Sequence, residues 1–167
     1  MAKQLLLVRH GKSDWGNNHL SDFDRPLNAR GHRNAPEMAL RIRSKDQVPQ
    51  LLVSSPALRA ITTARHFCQV WQMPADQIQN ELSIYEANTT ALLSVVNGFD
   101  NKYDRIAMFG HNPGFTEFAN YLSDAGIYNL PTCGTILMRF DTDNWAEITS
   151  HSAQLIEFDY PKSADED

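Results

Sequence analysis

Short apolar runs alternate with stretches of helical periodicity along most of the chain. Four runs predict buried strands: Leu5 to Arg9, Leu51 to Ser54, Ile78 to Leu82 and Arg105 to Gly110. Between them, apolar residues recur at steps of three or four from position 58 to 71 and from 92 to 99, as in amphipathic helices. This alternation is typical of a parallel sheet covered on both faces. The predicted fold class is α/β, a three-layer α/β/α sandwich with a mostly parallel central sheet.

The C-terminal part of the chain departs from this alternation. Three segments with short connections predict strands there: "TILMRF" at 135–140, "WAEIT" at 145–149 and "AQLIEF" at 153–158. We expect them to form hairpins at the margin of the sheet.

The segment after residue 28 has conflicting helix signals. Asn28 is a good helix cap, but Pro36 would then lie inside the helix and remove a backbone hydrogen bond, at a cost of roughly 3 kcal/mol. Either the helix bends at Pro36 or it begins nearer Asn34.

Length and composition narrow the class of protein. The chain has 167 residues, enough for one domain, so we expect a single domain over 1–167 with a frayed acidic tail at 162–167. Hydrophobic residues make up 42% and charged residues 21%, which is ordinary for a soluble protein. Because no apolar run is long enough for a signal peptide or a membrane span, we expect a cytoplasmic protein without a membrane partner.

The net charge and the spacing of the metal-binding residue types argue against a nucleic-acid-binding protein and against a metal or redox protein. A net charge of −5 argues against a nucleic-acid partner, because such binding neutralises many phosphates with Lys and Arg. Cys68, Cys133 and the six histidines match no metal or redox spacing. We therefore expect buried, reduced thiols and neither a metal nor another cofactor.

Two predicted strands end in the same way. "LLVSSPALRA" and "IAMFGHNPGF" both run from a strand through a polar residue and a proline into a helix. Ser55 and Asn112 can cap these helices, with Pro56 and Pro113 at the first helical position. Both helices then begin at the rim beyond the carboxyl ends of the strands, where helix N-termini favour anions.

Four cation-capable side chains are predicted to meet at this rim. Arg9 and His10 end the first strand, Arg59 lies one turn into the second helix, and His111 ends the fourth strand. Two guanidinium groups and two imidazoles can satisfy the non-bridging oxygens of a phosphate. The pattern therefore predicts a phosphoryl-transfer pocket in which protein groups supply the positive charge.

Several motifs of the chain are similar to those of a known family. "LVRHGKS", "SSPALRAITTA" and "GHNPG", together with "FDRPLNARG" and "LPTCG", resemble the histidine phosphatase superfamily, also called the phosphoglycerate mutase-like fold. The resemblance spans residue 5 to about 160 and comes closest to the short SixA-type phosphohistidine phosphatases. It is the ordered set of blocks, rather than Arg-His-Gly alone, that makes the signal specific.

The resemblance implies a role for each rim residue. His10 would be the nucleophile and form a phosphohistidine intermediate, while Arg9, Arg59 and His111 hold the oxygens of the transferring group. Gly11 and Ser13 would complete the phosphate-binding set. Neighbouring arginine charges disfavour protonated imidazole, which agrees with a nucleophilic role for His10. We also expect Gly11 to let the backbone turn sharply beside the ring.

An ester leaving group also needs an acid, which in this family commonly lies after the third strand. In "IYEAN" that position is Glu86, with Glu81 as the competing candidate. An acid that is protonated near neutral pH would need a raised pKa.

The chain also departs from the mutase pattern. Lys12 replaces the usual Glu and Gly16 occupies the usual Asn step, whereas Ser13 and Trp15 are retained. Tight recognition of a phosphoglycerate is therefore not expected. We favour a turn or capping role over substrate contact for three charged residues of the following segment, Asp22, Asp24 and Arg25.

The sequence thus predicts a metal-independent phosphatase with an open pocket. The leading substrate is phosphohistidine on a partner protein. A broad sugar-phosphate or nucleotide phosphatase is the alternative among enzymes, and a non-catalytic phosphate-sensing module is the alternative from another class. No oligomeric state is predicted.

Overall fold

The computed structural model describes residues 2–161, so the predicted acidic tail at 162–167 lies outside the described residues. The strands are β1 (Lys3–Arg9), β2 (Leu51–Ser54), β3 (Ile78–Asn80), β4 (Arg105–Gly110), β5 (Thr135–Phe140) and β6 (Ala153–Asp159). The helices are α1 (Ala29–Ser44), α2 (Leu58–Val70), α3 (Thr89–Asn97) and α4 (Gly114–Leu122). Single 3-10 turns occur at Asp22–Asp24, Ala75–Gln77, Leu82–Ile84 and Trp145–Glu147.

The strands form one sheet in the order β3-β2-β4-β1-β5-β6. The first four in this order are parallel, whereas β5 is antiparallel to both β1 and β6. The predicted α/β class with a mostly parallel sheet is confirmed, and β5 and β6 form the expected hairpin at the margin.

Both faces of the sheet are covered, which explains the unbroken apolar run of β1. Leu5 and Leu7 point to one face, in a core that includes residues of α3 and α4. Leu6 and Val8 point to the other, in a core with residues of α1 and α2. Side chains alternate across a strand, so a strand buried on both faces has no polar positions in its centre. Cys68 and Cys133 are buried with free thiols.

The predicted strand at 145–149 is wrong. Trp145–Glu147 is a 3-10 turn that Asn144 caps by accepting a hydrogen bond from the Ala146 N–H. The Trp145 ring is fully buried against Phe99, and its indole N–H donates to the Tyr103 carbonyl at 2.8 Å. Two core side chains, Trp145 and Ile148, therefore produced the apolar signal here. β5 pairs directly with β6, with no strand between them.

Other boundaries also differ from the prediction, and β1 begins at Lys3 instead of Leu5. β3 ends at Asn80, and Leu82–Ile84 is a 3-10 turn. α1 begins at Ala29, with the Asn28 side chain accepting from the Gly31 N–H, so a start near Asn34 is wrong. Within residues 2–161, none of the helices has the length and apolar character that a membrane span requires.

Candidate active site

The parallel strands align their carboxyl ends at one rim of the sheet. Arg9 is in register with Gly110 in the β1–β4 ladder, and Ser54 with Phe109 in the β2–β4 ladder. His10 then donates its backbone N–H to the Gly110 carbonyl at 3.0 Å. A cavity of about 670 Å³ opens here, and all seven site residues predicted from the sequence except Gly11 line it: Arg9, His10, Ser13, Arg59, Glu86 and His111.

His10 is held in one orientation with one nitrogen available. Its Nδ1 lies 2.7 Å from the Gly11 carbonyl oxygen, which can only accept, so Nδ1 carries the proton. Its Nε2 lies 3.3 Å from the Arg59 Nε, which can only donate, so Nε2 presents a lone pair. The ring is 6% exposed. Burial, reinforced by the positive charges of Arg59 and Arg9, holds the pKa of His10 well below its usual 6.5.

The loop 130–134 fixes the backbone and the arginine beside this imidazole. Arg9 donates from Nη1 to the Leu130 carbonyl at 2.9 Å and from its backbone N–H to the Gly134 carbonyl at 3.1 Å. The Cys133 N–H donates to the His10 carbonyl at 3.0 Å. These bonds account for the "LPTCG" block in structural terms, because they tie the end of β1 to the start of β5.

Gly11 has a different role from the expected sharp turn. A Cβ on Gly11 would lie only 3.0 Å from the Gly31 Cα, and the Gly11 N–H donates to the Thr63 hydroxyl at 3.0 Å. A Cβ on Gly31 would overlap the Lys12 carbonyl oxygen. The two glycines therefore allow the loop after β1 to pack directly on the first turn of α1, and Gly11 has no left-handed conformation to explain.

His111 faces His10 across the cavity, with ring centroids 5.3 Å apart. Its Nε2 lies 2.8 Å from the Ser55 hydroxyl, which also accepts from the Ala57 N–H at 3.2 Å. Burial, together with the charge of Arg59, lowers the pKa of His111 to about 4. Both imidazoles are therefore neutral at neutral pH.

The helix starts after β2 and β4 differ from the predicted arrangement. Ala57 is the N-cap of α2 and Pro113 that of α4, so Pro56 and Pro113 precede the first helical residue and do not occupy it. The Asn112 side chain accepts from the Thr116 N–H at 3.2 Å. Asn112 therefore accepts a hydrogen bond from the first turn of α4, as expected. Ser55 contacts His111 at the rim as well as the start of α2.

Asp22 belongs to the site, although the sequence favoured a turn or capping role for it. Its carboxylate accepts from Tyr85 at 2.6 Å, from Arg25 at 2.9 Å and from Arg59 at 3.0 Å. Arg59 also donates to the Asp22 backbone carbonyl at 2.6 Å. The Tyr85 hydrogen bond and the two guanidinium groups hold the pKa of Asp22 far below its usual range, and the same contact raises that of Tyr85 to about 12.

The neighbouring residues separate into two groups. Arg25 is buried and donates to the Ser13 hydroxyl and to Asp22, so it too is a site residue that the sequence did not assign. Asp24 has the expected local role, accepting from the Ser21 hydroxyl at 2.9 Å. The signal that could have revealed Arg25 is its place in the "FDRPLNARG" block, which leads directly into α1.

The two acid candidates lie in different places. Glu86 is an exposed residue that lines the cavity, and its backbone has a left-handed φ of 54°. Glu81 lines a separate groove beside β3 and accepts from the Ser83 hydroxyl at 2.7 Å. Only Glu86 of this pair shares a cavity with His10.

Guanidinium groups supply most of the cationic side chains of the cavity, and Lys12 adds an ammonium group. Arg9, Arg25 and Arg59 line it together, and Asp22 neutralises part of their charge. Residues 2–161 contain no cluster of three or more His, Cys, Asp or Glu side chains arranged to hold a metal ion. A neutral imidazole nitrogen among arginines, at the carboxyl end of a parallel sheet, is an arrangement that can bind a phosphate group and attack its phosphorus.

Comparison with known proteins agrees with this class. Residues 5–83 match the model of the histidine phosphatase superfamily, branch 1. An uncharacterized chloroplastic protein of Arabidopsis thaliana is 31% identical over 155 residues, which cover 88% of this chain and 71% of the relative. The chain belongs to the histidine phosphatase superfamily, and the protein is a phosphatase.

Solved structures extend the likeness to the whole fold. The putative phosphohistidine phosphatase SixA of Agrobacterium tumefaciens superimposes with a TM-score of 0.80 at 22% identity, covering 95% of this chain and 98% of the other. A mycobacterial glucosyl-3-phosphoglycerate phosphatase gives 0.65 at 14% identity, covering 93% and 97%. The fold is therefore shared by proteins named for a phosphohistidine and for a sugar-phosphate substrate.

Proposed function

We propose that the protein hydrolyses phosphohistidine on a partner protein through a covalent intermediate on His10. The observation that carries the mechanism is the fixed tautomer of His10, which presents a neutral Nε2 at a site lined by three arginines. A non-catalytic phosphate sensor is less well supported, because the full set of candidate catalytic residues is present: Arg9, His10, Arg59 and His111. We propose a cytoplasmic location, as expected from the sequence.

The reaction has two displacements at phosphorus. The Nε2 lone pair attacks, a P–N bond to His10 forms, and the bond from phosphorus to the leaving group breaks. Arg59 and Arg9 stabilise the charge on the transferring oxygens, together with His111. Water then attacks phosphorus, the P–Nε2 bond breaks, and inorganic phosphate leaves with His10 restored.

The departing group decides how much acid catalysis the site must supply. An imidazole leaves as a neutral molecule when its second nitrogen is protonated, whereas an alkoxide needs a proton from the enzyme. Glu86 is the candidate donor for such esters because it lines the cavity. Its presence favours a second candidate function, a broad small-molecule phosphomonoesterase.

A substrate panel distinguishes these functions. It contains a phosphohistidine protein, p-nitrophenyl phosphate and sugar phosphates, each assayed with and without chelator. We expect the highest kcat/KM on phosphohistidine and activity that survives chelation. Faster turnover of sugar phosphates would favour the small-molecule alternative, and loss with chelator that a divalent metal restores would contradict the mechanism.

The covalent step has its own test in the His10→Ala variant. Wild-type enzyme quenched in base should retain phosphate, as a phosphoramidate does, and lose it in acid. His10→Ala should carry no phosphate and show no turnover while keeping the wild-type circular dichroism spectrum. An acid-stable, base-labile adduct would place the nucleophile on a carboxylate or a hydroxyl group.

A further inference from the structure

Trp15 is an exposed aromatic residue beside the catalytic cavity. Trp15 is 73% exposed, yet it lines the same cavity as His10 and Arg59. A large apolar ring in that position contributes little to the core, because most of its surface remains in water. Its place at the cavity therefore needs an explanation other than packing.

The indole is held in place from one side. The Arg25 guanidinium carbon lies 3.6 Å from the centre of the Trp15 ring, which is the geometry of a cation–π contact. Arg25 is itself buried and donates to the Ser13 hydroxyl and, at 2.9 Å, to Asp22. The arginine thus orients the ring while most of the indole surface stays open.

An oriented ring with an open surface is a stacking platform. Aromatic side chains attract other planar rings beyond the effect of buried area alone, and an ordered platform loses little entropy when it binds one. The phosphate oxygens are accounted for by the arginines and His111, so a ring at Trp15 would belong to the other part of the substrate.

We propose that Trp15 forms a subsite for a planar leaving group, which selects substrates whose phosphate is bonded directly to a ring over alkyl phosphates. Such substrates are N-phosphorylated imidazoles and aryl phosphates. Their rings lie one bond from the phosphorus, or one oxygen away, and so must occupy the cavity whenever the phosphate does. The proposal rests on the proposed function and adds a residue that determines its specificity.

Binding of non-hydrolysable phosphonates tests the subsite without turnover. Calorimetry would compare phenylphosphonate with methylphosphonate on the wild type, Trp15→Leu and Trp15→Phe. We expect Trp15→Leu to raise the Kd for phenylphosphonate by about threefold to tenfold and to change the Kd for methylphosphonate by less than about twofold. Trp15→Phe should recover most of the loss because it restores a ring.

Tyr128→Leu is the matched control, since Tyr128 is 99% exposed and does not line the cavity. It should bind both phosphonates like the wild type. Equal weakening of both ligands by Trp15→Leu, or no weakening of either, would overturn the subsite.

Kinetics then separate this proposal from the proposed function. Trp15→Leu should lower kcat/KM on p-nitrophenyl phosphate by a similar factor, mainly through KM, and leave glycerol phosphate nearly unchanged. A wild type that binds phosphonates with the expected pattern but hydrolyses none of the substrates would refute the proposed function and support the subsite. Hydrolysis with no phenyl preference in binding would do the reverse.

Discussion

Buried neutral histidines should make the protein less stable in mild acid, and His111 allows the size of the effect to be worked out. Its pKa is about 4 in the folded protein against 6.5 for a free imidazole. Between these values the unfolded chain binds a proton that the folded chain does not, so stability is full above 6.5 and falls as the pH decreases towards 4.

A pH of about 5 lies roughly one and a half pH units below the pKa of the imidazole in the unfolded chain. Each pKa unit corresponds to about 1.4 kcal/mol, so His111 alone should lower the free energy of unfolding by about 2 kcal/mol relative to pH 7.5. His10, whose pKa is also depressed by burial, adds to the loss in the same direction. Asp22 does not contribute in this window, because a carboxylate with a lowered pKa loses its stabilisation only at more acidic pH.

The assay is urea unfolding of the wild type and His111→Gln at about pH 7.5 and pH 5. Glutamine can keep a hydrogen bond to the Ser55 hydroxyl but cannot take up the proton. Between the two pH values, the free energy of unfolding should therefore decrease by about 2 kcal/mol less in the variant than in the wild type. His19→Gln, which removes an exposed imidazole, should keep the wild-type difference. Equal losses in wild type and His111→Gln would refute the idea that burial holds His111 neutral.

Three further changes test the acid, the arginine network and the glycine contact. Glu86→Gln should slow the hydrolysis of alkyl phosphates by roughly 10²–10⁴ and that of phosphohistidine much less, with p-nitrophenyl phosphate between them. A larger loss of rate in Glu81→Gln would assign the role of general acid to Glu81. Asp22→Asn should lower kcat on all three substrates by about threefold to tenfold, because the arginines lose a partly exposed, charge-assisted contact; an unchanged kcat would contradict this. Gly31→Ala should lower the free energy of unfolding by about 1–3 kcal/mol through backbone overlap, whereas Gly98→Ala, whose Cβ would have ordinary contacts, should stay within about 1 kcal/mol in chemical denaturation.

Strands buried on both faces were the elements most accurately predicted from the sequence. β2, β4 and β5 begin and end at the predicted residues, because a short apolar run between polar residues leaves little freedom in where the strand lies. Trp145 shows the limit of the method. Its apolar signal reflects a side chain anchored by a hydrogen bond to a distant carbonyl, which no local period reveals.

The candidate site also contains some features that the sequence could predict and others that it could not. The sequence could predict that Arg9, His10 and His111 lie together because each ends or directly follows a strand whose carboxyl end faces one rim. It could not predict that Asp22 reaches Arg59, because that contact depends on how the loop between β1 and α1 folds back over α2. Nor could it show that Gly11 matters for its contact with Gly31, since the two are brought together only by tertiary packing.

Asp22 also explains how several guanidinium groups can lie together beside two imidazoles. Arg25 and Arg59 each donate to its carboxylate, so both guanidinium groups are held in ion pairs. Arg59 at the same time donates from Nε to Nε2 of His10, so the arginine that Asp22 orients is also the one that contacts the proposed nucleophile. Burial disfavours a proton on His10 and His111, and the positive charges of Arg59 and Arg9 add to this effect. The hydrogen bonds that hold Arg59 in place therefore also help to orient the Nε2 lone pair of His10, the atom that we propose attacks phosphorus.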